Sequence, residues 1–137
     1  MKGFRELLVW QKSHQLTLSV YGASRSFARE ELYGLTSQIR RAAASVPANI
    51  AEGCGRGGDN ELRRFLEIAM GSASELEYHL LLAHDLNMLE PDTYDQLNQQ
   101  TCEVKRMLAA FIGKIKRERS KERSALSDQQ SGNHSDP

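Results

Sequence analysis

Glu75 and His79 stand one helical turn apart, His84 adjoins Asp85, and Cys54 sits two residues from Arg56 in the run Gly53-Cys54-Gly55-Arg56-Gly57-Gly58. These residue types ligate metals, attack electrophilic carbon or cradle phosphates, but their spacing supports none of those chemistries here. A di-metal centre in a helical bundle takes inward glutamates, two of them within Glu-x-x-His motifs. The sequence contains no such motif, so Glu75 and His79 read as a solvated pair along one helix, and neither metal nor cofactor is expected. Arg56 is near enough to lower the Cys54 thiol pKa. No histidine neighbours Cys54 in sequence, however, and it reads as a structural thiol. The glycine run follows no strand and precedes no Gly-Lys-Ser or Gly-Lys-Thr, as a phosphate-binding loop would require. No catalytic residue is assigned, and a non-enzymatic protein is expected.

The least ordinary stretch is 38–53, a helical pattern with Pro47 inside it, Arg40 and Arg41 before the proline, and Asn49 and Glu52 after it. Arg40 and Arg41 point about 100° apart on a helix, whereas Asn49 and Glu52, three apart, share a face. At about 1.5 Å per residue, Glu52 is too far along one straight helix to reach either arginine. Its partner must lie elsewhere, and Arg63 or Arg64, beyond the glycine turn, is a candidate. Two readings follow. The polar groups form a network that locks a bent helix or a subunit interface, or they form a surface where arginines meet phosphate and Asn49 meets a base or backbone group. The candidate residues are Arg40, Arg41, Asn49, Glu52, Arg56 and Arg64, with Tyr33 as a further member.

Four helices must position these residues. Val9, Leu16, Val20, Ala23 and Phe27 mark a first helix over about 5–28, broadened by Trp10 and Tyr21. Leu32 and Tyr33 are expected to fold back on the bundle. Leu35, Ile39, Ala42, Val46 and Ile50 mark a second helix that Gly53 closes. Their period survives across Pro47, which argues for one kinked helix, with Ser37 and Ser45 easing the lost backbone bond. Asp59 or Asn60 can cap a third helix whose stripe, Leu62, Leu66, Ala69, Ala73, Leu76, Leu80 and Ala83, alternates steps of four and three; Phe65 and Leu86 widen it. Pro91 suits the first turn of a fourth helix carrying Leu97, Thr101, Val104, Leu108, Phe111 and Ile115. The expected architecture is an all-α, up-down-up-down four-helix bundle over 1–119, with a disordered polar tail over 120–137.

A chain of 137 residues with 26% charged and 39% hydrophobic residues fits one water-soluble domain. No apolar run is long enough to span a membrane, and no signal peptide is expected at the start, which points to the cytoplasm. Cys54 and Cys102 are expected to stay unpaired. The zero net charge conceals segregation: residues 1–58 carry eight basic and four acidic groups, 59–100 two and nine, and 101–123 eight and three. The segments either neutralise one another, within a subunit or between copies, or expose a basic face to nucleic acid. Leu7 to Trp10, together with Met70, Tyr78, Leu81 and Leu82, exceed what a monomeric bundle buries, and homo-oligomerisation explains them.

The blocks 4–14, 35–42, 46–53 and 71–77 together resemble the bacterial four-helix bundle proteins encoded in intervening sequences of 23S ribosomal RNA genes, also called the S23 ribosomal protein family. The resemblance covers roughly residues 4–117. It implies a left-handed up-down-up-down bundle that assembles as a ring, with a homopentamer expected, and a more distant similarity to the basic, pentameric accessory variability proteins of diversity-generating retroelements. The matching positions are Trp10, Gln11, Gln38, Arg40, Arg41, Pro47, Asn49, Glu52, Gly53, Arg56, Phe65, Gly71, Ser72 and Glu75. Ala28, Cys54 and Met70 depart from it, where proline, an aromatic and a basic residue are frequent. The resemblance brings no activity. The reading is a self-assembling, non-enzymatic bundle that binds RNA or DNA through a basic surface, or alternatively a purely structural or protein-interaction module.

Overall fold

The computed structural model describes residues 3–133, which form four α-helices and two short 3-10 turns with no strand among them. The first turn, Phe4–Glu6, precedes α1, Leu8–Ser24; Leu7 between them is extended. α1 is thus shorter than the hydrophobic period predicts. At its end the Ser24 and Ser26 hydroxyls donate to the carbonyls of Tyr21 and Ala23, three residues back, in competition with further helical turns. After the turn Arg29–Glu31, Leu32 and Tyr33 face solvent instead of folding back, Tyr33 at 94% exposure.

α2 spans Leu35–Arg56 and passes unbroken through both Pro47 and Gly53. Gly53 therefore does not close the helix. It is buried, and a Cβ there would lie 2.9 Å from the Phe65 Cβ, so the glycine lets the next helix approach. Gly57 (φ 73°) and Gly58 (φ 95°) make the reversal, in backbone conformations that suit glycine. α3, Asp59–Asp85, starts from Gly58 without a side-chain cap, so neither Asp59 nor Asn60 plays that part. Asn87, at φ 61°, ends it: Met88 N–H donates to Ala83 O and Asn87 N–H to His84 O, the two bonds of a Schellman closure.

α4 runs from Pro91 to Asn133. The sequence pattern predicts a disordered tail from 120, but the helix continues. Residues 116–130 are mostly Lys, Arg, Glu, Ala, Leu and Gln, strong helix formers, and neither proline nor glycine intervenes before Gly132. Residues 120–130 are exposed all round. The last four tail positions, 134–137, lie outside the described residues.

Each helix runs antiparallel to its neighbours: Ser45 meets Ser72, Glu77 meets Lys105, and Lys12 meets Glu103. The stripes converge on one core in which Leu16, Ile39, Ile50, Leu66, Leu76 and Leu108 are essentially inaccessible, each contributing roughly 1.5–3 kcal/mol by burial. Leu86, expected to widen the third stripe, is exposed just past the end of α3, and Ile112 on α4 is buried instead.

One polar contact within that core explains how α2 tolerates its proline. Pro47 has no N–H to give to Ala43 O, and its ring crowds that carbonyl. Thr17 of α1, itself buried, has its hydroxyl 2.9 Å from Ala43 O and 3.0 Å from Ser13 O. The missing backbone donor is thus replaced from a neighbouring helix, not by Ser37 or Ser45.

Candidate functional site

The candidate residues occupy α2 and the start of α3, and the structure divides them into three groups. Near the start of α2, Arg40 Nε donates to Ser24 Oγ at 2.8 Å, and its guanidinium carbon lies 5.1 Å from the Tyr21 ring centre. Both contacts fix Arg40 to α1. Arg41, about 100° further round the helix, is exposed and makes no ion pair among the described residues. With Tyr21, Leu32, Tyr33, Ser37 and Arg40 it lines an open groove of about 540 Å³.

Midway along α2, Asn49 Nδ2 donates to Ser45 O (2.8 Å) and Ser45 Oγ (2.9 Å), while Ser72 Oγ of α3 lies 3.0 Å from Ser45 Oγ. This chain ties the two helices together one turn from Pro47. It engages the Asn49 Nδ2 within α2.

Near the end of α2, Arg56 donates through Nη2 (2.8 Å) and Nε (3.2 Å) to one carboxylate oxygen of Glu52. Arg64 pairs with Glu61 at 3.1 Å. The pairing of Glu52 with Arg63 or Arg64 is therefore not formed; Arg56, four residues on and on the same face, is the nearer cation. Both Arg56 and Arg64 lie over the Phe65 ring, 5.3 and 4.5 Å from its centre. Arg40 and Arg56 are sixteen residues apart on one helix, about 24 Å, so the six residues do not compose one site.

The groups considered for chemistry are elsewhere. Burial pushes the Cys54 thiol pKa up, so Arg56 does not make it a ready thiolate. Cys102 is raised too, first by burial and then by its hydrogen bond to Glu77. His79 is not a solvated partner of Glu75: its side chain is only 12% exposed, and its Nδ1 stands 3.9 Å from the carboxylate, beyond hydrogen-bond distance. Among the described residues, no group of His, Cys, Asp and Glu is arranged to hold a metal ion, and no helix is long and apolar enough to cross a membrane.

Thr17 and Ser24 are the positioning residues that the sequence pattern does not single out. The signal for Thr17 is indirect: a proline within a helix leaves the carbonyl four residues back in need of a donor, and Thr17 is a hydroxyl on an otherwise apolar stripe.

Fold and surface together define a helical bundle in which Arg40–Ser24 and Ser45–Ser72 brace α2 against its neighbours, while Glu52–Arg56 and Arg64–Glu61 pair within single helices. Residues 5–110 match the 23S rRNA-intervening sequence protein family, and the chain belongs to that family. A solved structure with the same fold comes from Bacteroides thetaiotaomicron, a protein of unknown function from the S23 ribosomal protein family. It is 24% identical, with a TM-score of 0.72 over 77% of this chain and 98% of that one. No curated protein matches the sequence.

Proposed function

We propose that this protein is a non-enzymatic cytoplasmic scaffold that assembles with copies of itself through its side faces. The observation that carries the reading is the outer face of α2. Ser37, Arg41, Ala44, Ala48, Ala51 and Gly55 recur at strict steps of four and three, so they form one strip. The strip is small-sided and carries a single charge, with Ser37, Arg41, Ala48 and Gly55 exposed and Ala44 and Ala51 half-buried. Exposed Tyr21, Leu32 and Tyr33 share a groove with its Ser37 and Arg41. On another side, Leu7, Leu8, Val9, Met107, Ala110 and Phe111, with one charged residue, Lys114, line a mostly apolar groove of about 350 Å³ between α1 and α4. Uncovered apolar surface of this extent is the usual mark of an interaction face. Two unlike faces on one chain favour a head-to-tail contact, which closes into a ring when the rotation permits. The homopentamer implied by the family resemblance is the form taken forward.

A second reading, contact with RNA or DNA, is favoured by Arg41, whose unpaired guanidinium lies in one groove with the exposed Tyr33 ring, an arrangement suited to a phosphate and its neighbouring base. The two readings compete for the same strip, because assembly through α2 covers Arg41. Sedimentation velocity on wild type and on Ala48→Glu, with a nucleic-acid titration of Arg41→Ala in parallel, tests both. Assembly lost in the first variant supports the scaffold. Wild type that stays monomeric at every concentration sinks it.

A further inference from the structure

We infer that the end of the bundle where α4 leaves α3 holds a binding site for the phosphate backbone of RNA or DNA, formed by Arg63, Lys116, Arg119 and Arg123. The inference takes its ligand class from the nucleic-acid reading, but it needs neither Arg41 nor the α2 strip.

Lys116, Arg119, Ser120 and Arg123 lie at i, i+3, i+4 and i+7 of α4, which puts them on one helical face. α3 runs antiparallel beside that face and begins at Asp59, so Asn60 and Arg63 of its first turns complete a concavity of about 270 Å³. No carboxylate lines it. Arg63, Arg119 and Arg123 take part in no ion pair among the described residues. Lys116 reaches Glu67 only at 3.7 Å, with both side chains about half exposed, a contact that contributes little and leaves ammonium donors free. The acids nearby point elsewhere. Glu61 is held by Arg64, and Glu118 and Glu122 each sit one residue, about 100°, from an arginine of the cluster. Four cations share this concavity with only the loose Lys116–Glu67 contact to offset them, and an external polyanion relieves their mutual repulsion.

The lining also selects among polyanions. It has no aromatic ring and no glycine cradle, so it grips backbone phosphate without reading bases. Leu126 is the only large apolar side chain from 116 to 130, so this arm has no apolar face to insert into a membrane. Beyond Arg123, α4 projects past the start of α3 by about ten residues, roughly 15 Å. That arm extends the contact along a strand instead of closing over a small molecule.

Fluorescence anisotropy of the full chain with a 20-base-pair duplex RNA and the matching duplex DNA, at several salt concentrations, tests the site. Salt-sensitive binding is expected with at least one duplex, and the two titrations identify which. Each phosphate contact adds about 0.9 to the slope of log affinity against log salt for duplex DNA. Arg119→Ala with Arg123→Ala therefore flattens the slope by about 1.8 on duplex DNA, while the double lysine variant retains it. The thermal melt of both variants stays at the wild-type value, because the arm lies outside the core. If Arg41→Ala weakens binding and the double alanine variant does not, the cleft assignment fails while the nucleic-acid reading survives. Absence of salt-sensitive binding to either duplex overturns both. Displacement of the duplex by tripolyphosphate at equal phosphate concentration overturns the backbone assignment in favour of a small-anion site.

Discussion

Thr17→Val removes the hydroxyl that faces Ala43 O while keeping the shape of the side chain, and it exposes how α2 carries Pro47. In the wild-type background the carbonyl of Ala43 is then left buried without a donor, at a cost of about 1–3 kcal/mol. Pro47→Ala restores a backbone N–H that can bond Ala43 O in the ordinary helical way. In that background the same Thr17→Val change loses only the bond to Ser13 O, worth about 0.5–1.5 kcal/mol. The cycle of wild type, two single variants and the double variant should therefore show a coupling energy of about 0.5–1.5 kcal/mol, with Thr17→Val costing more when proline is present. The assay is urea unfolding followed by helical circular dichroism at fixed protein concentration, since assembly makes stability concentration-dependent. Equal cost of Thr17→Val in the two backgrounds would refute the idea that the threonine replaces the proline's missing donor.

Gly53→Ala places a Cβ 2.9 Å from the Phe65 Cβ and 3.3 Å from Leu62 Cδ1, whereas Gly71→Ala meets nothing within 4 Å. Both gain the same helix propensity, so the gap between their unfolding free energies isolates overpacking, about 1–3 kcal/mol against Gly53→Ala. Glu77 has its carboxyl pKa lowered, first by the hydrogen bond from Lys105. Its stabilising contribution is therefore present above the ordinary carboxylate range and fades as pH falls through the lowered pKa. Glu77→Gln should cost about 0.5–1 kcal/mol near neutral pH, with the difference from wild type vanishing in acid; denaturant titrations across pH read this directly. Truncation after Arg123 should reduce the helical signal by about ten residues while moving stability by no more than about 0.5 kcal/mol. A truncated chain with unchanged ellipticity would contradict the continuous α4.

The bundle was legible because the apolar stripes of α2, α3 and α4 keep a four-three period, and that period is a property of each helix alone. What stayed hidden depends on pairs distant in sequence. Gly53 has the flanks of a helix terminator; only the approach of Phe65 and Leu62 makes it an interior contact. The donor for Ala43 O lies 26 residues away on α1, and the partners of Arg40, Tyr21 and Ser24, lie across an irregular turn. Glu52 and Arg56 were legible in principle, since a four-residue spacing of opposite charges favours an intrahelical pair over one with Arg63 or Arg64. The end of α4 shows the opposite limit. Polarity argues for disorder there, but helix propensity continues a rod already nucleated by the packed core.

Whether the strip of small residues on α2 is an assembly face is decided by sedimentation velocity over a hundredfold range of concentration, on wild type and Ala48→Glu. Ala48 is exposed in the protomer, so the glutamate leaves the monomer fold and its helical signal intact. Wild type is expected to sediment as a closed oligomer and Ala48→Glu as a folded monomer. Identical sedimentation of the two proteins, whether both assembled or both monomeric, would show that the α2 strip is not an assembly face.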